Sequence, residues 1–295
     1  ETKQKYLCLA GGVALNCVAN GKILREGPFE DIWIQPAAGD AGGARGAAMF
    51  AWYQHLGNKR DIAIPDSQKG SYLGPQYSEE EIRDFFEKSA APYKRFEDSE
   101  LFEHVASLLS AEKVVGWLHG RLEFGPRALG ARPLLGDPRS SSMQSIMNLK
   151  IKFRESFRPF APSILEEMVG EYFDMDKASP YMLMTASVKE SQRLSVTTLD
   201  AQSSGLERLQ VVRSKIPAVT HVDYSARLQT VNAATNPRYH QLLKAFYAKT
   251  GCPLLVNTSF NVRSEPMVCT PEDAYTCFMR TGMDYLVLEN FVLEK

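Results

Sequence analysis

The stretch NLKIKFRESFRPFAPS, residues 148–163, places Lys150, Lys152, Arg154 and Arg158 within nine positions, with Glu155 as the acid among them. Ile151, Phe153, Phe157 and Phe160 are interleaved with the cations. If KIKFR is extended, a period of two puts Lys150, Lys152 and Arg154 on one face. If it is helical, Lys150–Arg154 and Arg154–Arg158 become i,i+4 neighbours. Either way like charges are driven together, at a Coulombic cost that a bound anion would relieve. The plainer alternative is a solvated basic face, against which the interleaved aromatics and prolines argue.

Three other segments carry groups suited to the same chemistry. GRLEFGPRALGARP (120–133) holds Arg121, Arg127 and Arg132 among Gly and Pro, on sharply turned backbone. Arginine offers a planar fork for carboxylate or phosphate. HVDYSARLQT (221–230) supplies His221, Asp223 and Arg227, and LLVNTSFN (254–261) ends an apolar strand in Asn257, Thr258, Ser259 and Asn261. Amide and hydroxyl groups at a strand end suit hydrogen bonding to phosphate or ribose, although a plain strand-end turn has the same composition. Ser259 lacks the GxSxG setting of a nucleophile, and His221 with Asp223 does not make a triad.

Near the N-terminus, KYLCLA runs into Gly11-Gly12 and then a helical pattern. That arrangement lets backbone approach a phosphate at a positive helix end, or simply permits a tight turn. Asp40 stands alone in AAGDAGG, as a helix N-cap or as a ligand for a metal or hydroxyl. No GxxxxGK[ST], GxGxxG, HxxxH or HExxH is present.

The elements that must position these groups alternate between helix and strand. Strands are expected at 5–10, 31–36, 113–120, 158–165, 180–188, 252–260 and 284–293. Helices are expected at 13–26, 43–57, 79–90, 99–111, 140–150, 166–173, 237–249 and 271–281. Ser78 and Glu81 form a possible capping box. Residues 121–139 read as irregular and 189–214 as a polar surface insertion. The first 60 residues have too few strands for a complete sheet, and the chain enters a strand within five residues of Glu1, so we expect them to end a larger domain. Residues 61–98 read as a linker and 99–295 as an α/β (α+β) domain built on a twisted mixed sheet.

With 295 residues, 44% hydrophobic and 23% charged, the composition is that of an ordinary globular protein. A net charge of −1 argues against nucleic acid as a partner, so an anion site must be local. Five scattered cysteines without a CxxC pair suggest a reducing, cytoplasmic setting. No apolar run approaches the ~20 residues of a bilayer span, and no membrane association is expected.

Six segments resemble, in order and spacing, the C-terminal half of the O-carbamoyltransferases of nodulation-factor and antibiotic biosynthesis. They are GGVALNCVANGKI, QPAAGDAGGARGAA, GRLEFGPRALGARP, NLKIKFRESFRPFAPS, PAVTHVDYSARLQTV and GCPLLVNTSFNVRSEPMV. The resemblance implies an incomplete actin/sugar-kinase-like segment followed by a YrdC-like domain. It implies that ATP and carbamoyl phosphate form carbamoyl-adenylate in the second domain, with Mg²⁺ assisting. The carbamoyl group would then pass to a small-molecule hydroxyl acceptor in the first domain, where Fe²⁺ is held. Carried over, Arg127, Lys152, Arg158, Arg227, Asn257 and Ser259 line the adenylate-forming pocket, with Arg154, His221 and Asn261 as second choices. Gly11, Gly12 and Asn16 match the nucleotide motif of the first domain, and Asp40 its metal ligand. The family's paired His ligands have no counterpart here, so this chain alone is expected neither to hold the metal tightly nor to complete the transfer. Tyr224 and Ser264 stand where the family commonly has glycine, and Pro133 where it has a small hydroxyl residue. The competing readings are a threonylcarbamoyl-adenylate synthase and a non-catalytic nucleotide- or RNA-binding module.

Overall fold

The computed structural model describes residues 3–62, 66–197, 204–209 and 211–295. Strand β1 (Tyr6–Leu9) pairs in parallel with β2 (Asp31–Ile34), and helix α1 (Cys17–Glu26) connects them. Asn16 caps α1, its Oδ1 accepting from the Ala19 N–H at 3.1 Å. Helix α2 (Asp40–Phe50) follows and runs into a π-helical turn at Ala51–His55. This unit docks on the rest of the chain. Asn20 Nδ2 donates to the carbonyls of Ala14 and Leu183, Arg25 donates to the Thr185 carbonyl, and Ala14, Ile34, Ala38 and Leu183 share a small core.

The remaining elements are α3 (Glu79–Ser89), β3 (Lys94–Arg95), α4 (Asp98–Ser110), β4 (Val115–Leu118), β5 (Pro133–Gly136), α5 (Met143–Lys150), β6 (Ala161–Leu165), α6 (Val169–Tyr172), β7 (Thr185–Ser187), β8 (Ser225–Arg227), β9 (Gln229–Val231), α7 (Pro237–Thr250), β10 (Leu254–Ser259), α8 (Pro271–Arg280), β11 (Tyr285–Leu288) and β12 (Phe291–Glu294). Eight strands form one mixed sheet in the order β3-β12-β11-β4-β5-β10-β6-β9, while β7 and β8 pair as a separate ribbon. The β4/β11 and β6/β9 pairs are parallel and the others antiparallel. Every residue of β4, β5 and β6 is buried, as expected of strands covered on both faces. The expected mixed-sheet α/β architecture is thus observed.

The differences from the sequence reading are local. Helix α3 and its Ser78–Glu81 capping box lie where they were expected, but Ile82 and Phe86 of α3 are buried in the main core, so this part of the 61–98 stretch packs with the large domain. Strand β5 lies inside the 121–139 segment read as irregular. The run DYLVLENFVL is a hairpin, because Glu289 takes a left-handed φ of 49° and turns β11 into β12. Only Thr185–Ser187 of PYMLMTASV is strand. Among the described residues no helix is long and apolar enough to cross a membrane.

Tyr224 and Ser264, where the resembling family has glycine, retain the backbone glycine favours, with φ of 61° and 67°. Tyr224 is compensated by Arg193, whose guanidinium stacks 4.7 Å from its ring. Ser264 is exposed, and its hydroxyl has no hydrogen-bond partner among the described residues. Ser264→Gly is therefore expected to stabilise the chain by ~0.5–1 kcal/mol. A lowered midpoint in urea unfolding would contradict this.

Candidate active site

The Gly/Arg/Pro loop is shaped by a buried carboxylate. Glu123 Oε1 accepts from the backbone N–H groups of Leu129, Ala131 and Arg132 at 2.8, 2.6 and 3.1 Å. Gly130 has a φ of 112°, and a Cβ there would meet the Tyr239 ring at 2.3 Å, so the loop needs glycine twice over. Arg132 is turned inward and fully buried, its guanidinium donating to the carbonyls of His119, Gly120 and Ala131. Arg127, five residues earlier, is turned into a cleft of about 240 Å³.

Arg154, Arg158 and Arg227 line the same cleft, with Phe160, Ala161, Asn257, Thr258 and Ser259. The cationic segment is neither of the forms its spacing allowed. Helix α5 ends at Lys150, the Lys152 N–H donates back to the Met147 carbonyl, and Phe153 adopts a φ of 47°. This turn splits the cations between environments. Lys150 is exposed, Lys152 is buried, and Arg154 and Arg158 reach the cleft. The aromatic residues split as well. Ile151 and Phe160 are 0% and 2% exposed and form a firm backing, whereas Phe153 and Phe157 are 53% and 44% exposed.

The site's defining electrostatic feature is uncompensated positive charge. Arg158 pairs with Glu155 at 3.1 Å, but among the described residues no carboxylate lies within 4 Å of Arg127, Arg154 or Arg227 as an ion-pair partner. Arg127 Nε is buried without a hydrogen-bond partner. Burial lowers the Arg127 pKa. Burial and then the Arg158 charge lower that of Arg154. Arg227 is pulled down to about 10 by burial first, then by Arg127 and Arg154. Arg154 is braced by Phe160, 5.0 Å from its ring centre, and by Asn148, whose Oδ1 accepts from Nε at 2.6 Å.

The polar floor is equally determined. Gln229 Nε2 donates to the Leu129 carbonyl at 2.6 Å, which turns its oxygen toward Asn257 and Ser163. Asn257 Nδ2 donates to the Ala128 carbonyl, Ser163 Oγ and Gln229 Oε1, so its Oδ1 is buried with no protein partner. Lys152 lies behind this floor. Its ammonium donates to the carbonyl and Oγ of Ser259 and, at 2.6 Å, to Asn261 Oδ1.

Of the residues singled out from the sequence, Arg127, Arg154, Arg158, Arg227, Asn257 and Ser259 converge on one cleft, and Lys152 and Asn261 support its floor. His221 does not join them. It lines a neighbouring cavity of about 180 Å³ with Phe157, Val211 and Arg213, on the other side of Pro159. Burial lowers its pKa, with Asp223 opposing. Gly11 has a φ of 94°, and Cβ atoms at Gly11 and Gly12 would meet nothing within 4 Å, so both present open backbone. Asp40 is the first residue of α2 and exposed, and Gly39 occupies the N-cap position. Among the described residues no group of three or more His, Cys, Asp or Glu side chains is placed to hold a metal ion, and one exposed carboxylate does not fit an iron site. Glu123, Asn148, Ser163 and Gln229 shape the site and were not singled out. Their only sequence signal is a polar residue inside an otherwise apolar element or loop.

Comparison with known proteins places this geometry in context. Residues 106–295 match the family model described as Carbamoyltransferase C-terminus, and residues 1–49 match Carbamoyltransferase N-terminus. An uncharacterized protein of Synechocystis sp. is 63% identical over 100% of this chain and 48% of its own length. Nodulation protein NolO of Bradyrhizobium diazoefficiens is 39% identical over 100% of this chain and 50% of its own. A 3'-hydroxymethylcephem-O-carbamoyltransferase of Amycolatopsis lactamdurans is 34% identical over 96% of this chain and 47% of its own. The chain spans about half the length of the curated relatives it matches. Among solved structures, full-length HypF in its phosphate- and nucleotide-bound form aligns with a TM-score of 0.40 and 17% identity, over 69% of this chain and 23% of HypF.

Proposed function

The chain belongs to the carbamoyltransferase family, and on that premise we propose that its arginine-lined cleft forms carbamoyl-adenylate from carbamoyl phosphate and ATP. The observation that supports this most directly is the convergence of Arg127, Arg154 and Arg227, buried or half-buried and without carboxylate partners. Such a cluster is unfavourable until polyanions enter it.

In this reading, hydrolysis of carbamoyl phosphate breaks its bond to phosphorus, releases phosphate and leaves carbamate. A carbamate oxygen then attacks the α-phosphorus of ATP and expels pyrophosphate, giving the mixed anhydride. The repulsion between the two anions is the main barrier that the protein must offset. Arg127, Arg154, Arg158 and Arg227 neutralise and align the phosphates and stabilise charge developing on the leaving group. Asn257 and Ser259 supply hydrogen-bonding groups at the floor. Mg²⁺ would enter on the phosphates of ATP. No covalent enzyme intermediate is required. The domain organisation belongs to the same proposal, with residues 1–60 as the end of an actin/sugar-kinase-like domain and the large mixed sheet as the YrdC-like domain. The carbamoyl group would be delivered toward the Gly11–Asn16 segment for transfer to a hydroxyl acceptor, the kind of group named in the cephem-modifying relative.

The test is incorporation of labelled pyrophosphate into ATP, expected only when carbamoyl phosphate is present. Exchange driven by threonine and bicarbonate instead would point to a threonylcarbamoyl-adenylate reaction. No exchange under either condition, in folded protein that binds ATP, would remove adenylate formation from the assignment.

A further inference from the structure

Asn148 is the last buried residue of α5 and is 0% exposed, although it has an amide side chain that must be satisfied inside the protein. All of its side-chain hydrogen bonds go to the segment carrying the two cleft arginines that follow it. Its Oδ1 accepts from Arg154 Nε at 2.6 Å. Its Nδ2 donates to the carbonyls of Ser156 and Arg158 at 3.1 and 2.8 Å, and its backbone carbonyl accepts from the Arg154 N–H at 3.1 Å. Those two carbonyls are obligate acceptors and the guanidinium is an obligate donor, so the amide has one orientation that satisfies both sides. Gln144, one helical turn earlier, adds a second clamp from its Nε2 to the Phe157 and Arg158 carbonyls.

We infer that Asn148 is a positioning residue of the cleft, one that fixes the Arg154 guanidinium and the backbone of Arg158 in a single geometry before any anion arrives. The inference rests on the cleft being the anion-binding site proposed above. Without this clamp the 153–158 turn would keep the Gln144 bonds and the Glu155–Arg158 pair but nothing that fixes the Arg154 guanidinium by hydrogen bond, and Phe153 already occupies a left-handed conformation. Like-charge repulsion between Arg154 and Arg158 would then drive the two side chains apart. Asn148 touches no substrate and acts only through the arginines it holds.

The experiment compares Asn148→Ala, Asn148→Asp and, as a purely structural control, Met143→Ala. Met143 is also fully buried on α5 and its side chain packs against Gly136. Binding of inorganic pyrophosphate is measured by calorimetry beside the exchange assay and the melting temperature. Asn148→Ala is expected to weaken pyrophosphate binding and raise the KM for carbamoyl phosphate by about tenfold or more, with a smaller change in kcat. Asn148→Asp keeps the acceptor for Arg154 but loses both donations and adds a carboxylate beside the guanidinium, so it should weaken binding at least as much. Met143→Ala should lower the melting temperature and leave both affinities within about twofold. If the Asn148 variants lose stability but keep wild-type pyrophosphate affinity, the residue is structural and the inference fails. It also fails if the wild-type chain does not bind pyrophosphate. If the wild type binds pyrophosphate but shows no exchange, adenylate formation falls, and the binding data alone still decide the role of Asn148.

Discussion

Arg227→Met is expected to lower carbamoyl phosphate-dependent pyrophosphate exchange by about 100-fold or more while leaving the chain as stable as before, or more so. The two halves of this result have one cause. Arg227 sits at the end of β8, with its pKa drawn down to about 10 by burial and by Arg127 and Arg154. No carboxylate compensates it among the described residues. A thioether of similar length keeps the packing of the stem and removes a charge whose burial costs on the order of 1–3 kcal/mol in the free protein. The same charge is what the bound anions need. Exchange within tenfold of wild type would show that the arginine cluster is not the reaction site. A clear drop in melting temperature would show that the guanidinium has a partner after all.

The second large effect concerns Lys152 and pH. Its ammonium is pushed down to about 7, by burial first and by the neighbouring Arg154 second. In the unfolded chain the same group titrates near the ordinary lysine value of ~10.4. Between about pH 7 and pH 10.4 the unfolded state therefore binds a proton that the folded state lacks, and stability should rise with pH, by up to about 1.4 kcal/mol per unit. Below pH 7 both states are protonated and the dependence disappears. Lys152→Met should lose this slope, which urea titrations at several pH values would reveal. The activity runs the other way. The charged ammonium donates to both Ser259 oxygens and to Asn261, and it adds positive potential behind the floor. Exchange measured as kcat/KM should fall as pH rises through about 7. Lys152→Arg, charged throughout, should flatten that limb if the larger group is accommodated. An unchanged limb in a folded Lys152→Arg protein would assign the titration to another group.

Much of the local structure was legible because it depends on neighbours in sequence. The Ser78–Glu81 box, the Gly11-Gly12 turn and the apolar runs of β4, β6 and β10 are each set within a few residues. What failed was also local in kind but decided elsewhere. β5 is a four-residue strand beginning at a proline, and it exists because β4 and β10 pair with both its edges. The β11–β12 turn carries no glycine, since Glu289 itself takes the left-handed conformation.

The sequence by itself determined which chemistry was available: an excess of arginine on turned backbone, amide and hydroxyl groups at a strand end, and neither a phosphate-binding loop nor a metal motif. Tertiary structure alone decided how those groups are used. Arg127 and Arg132 sit five residues apart in one motif, yet backbone carbonyls consume Arg132 while Arg127 opens into the cleft. Lys152 reaches Ser259 across 107 residues, and Asn257 reaches Ala128 across 129. Whether a cation is exposed, neutralised or left buried with unsatisfied charge depends on such distant partners. Local spacing carries no record of them, because the energy of a charge is set by everything within a Debye length in space rather than along the chain.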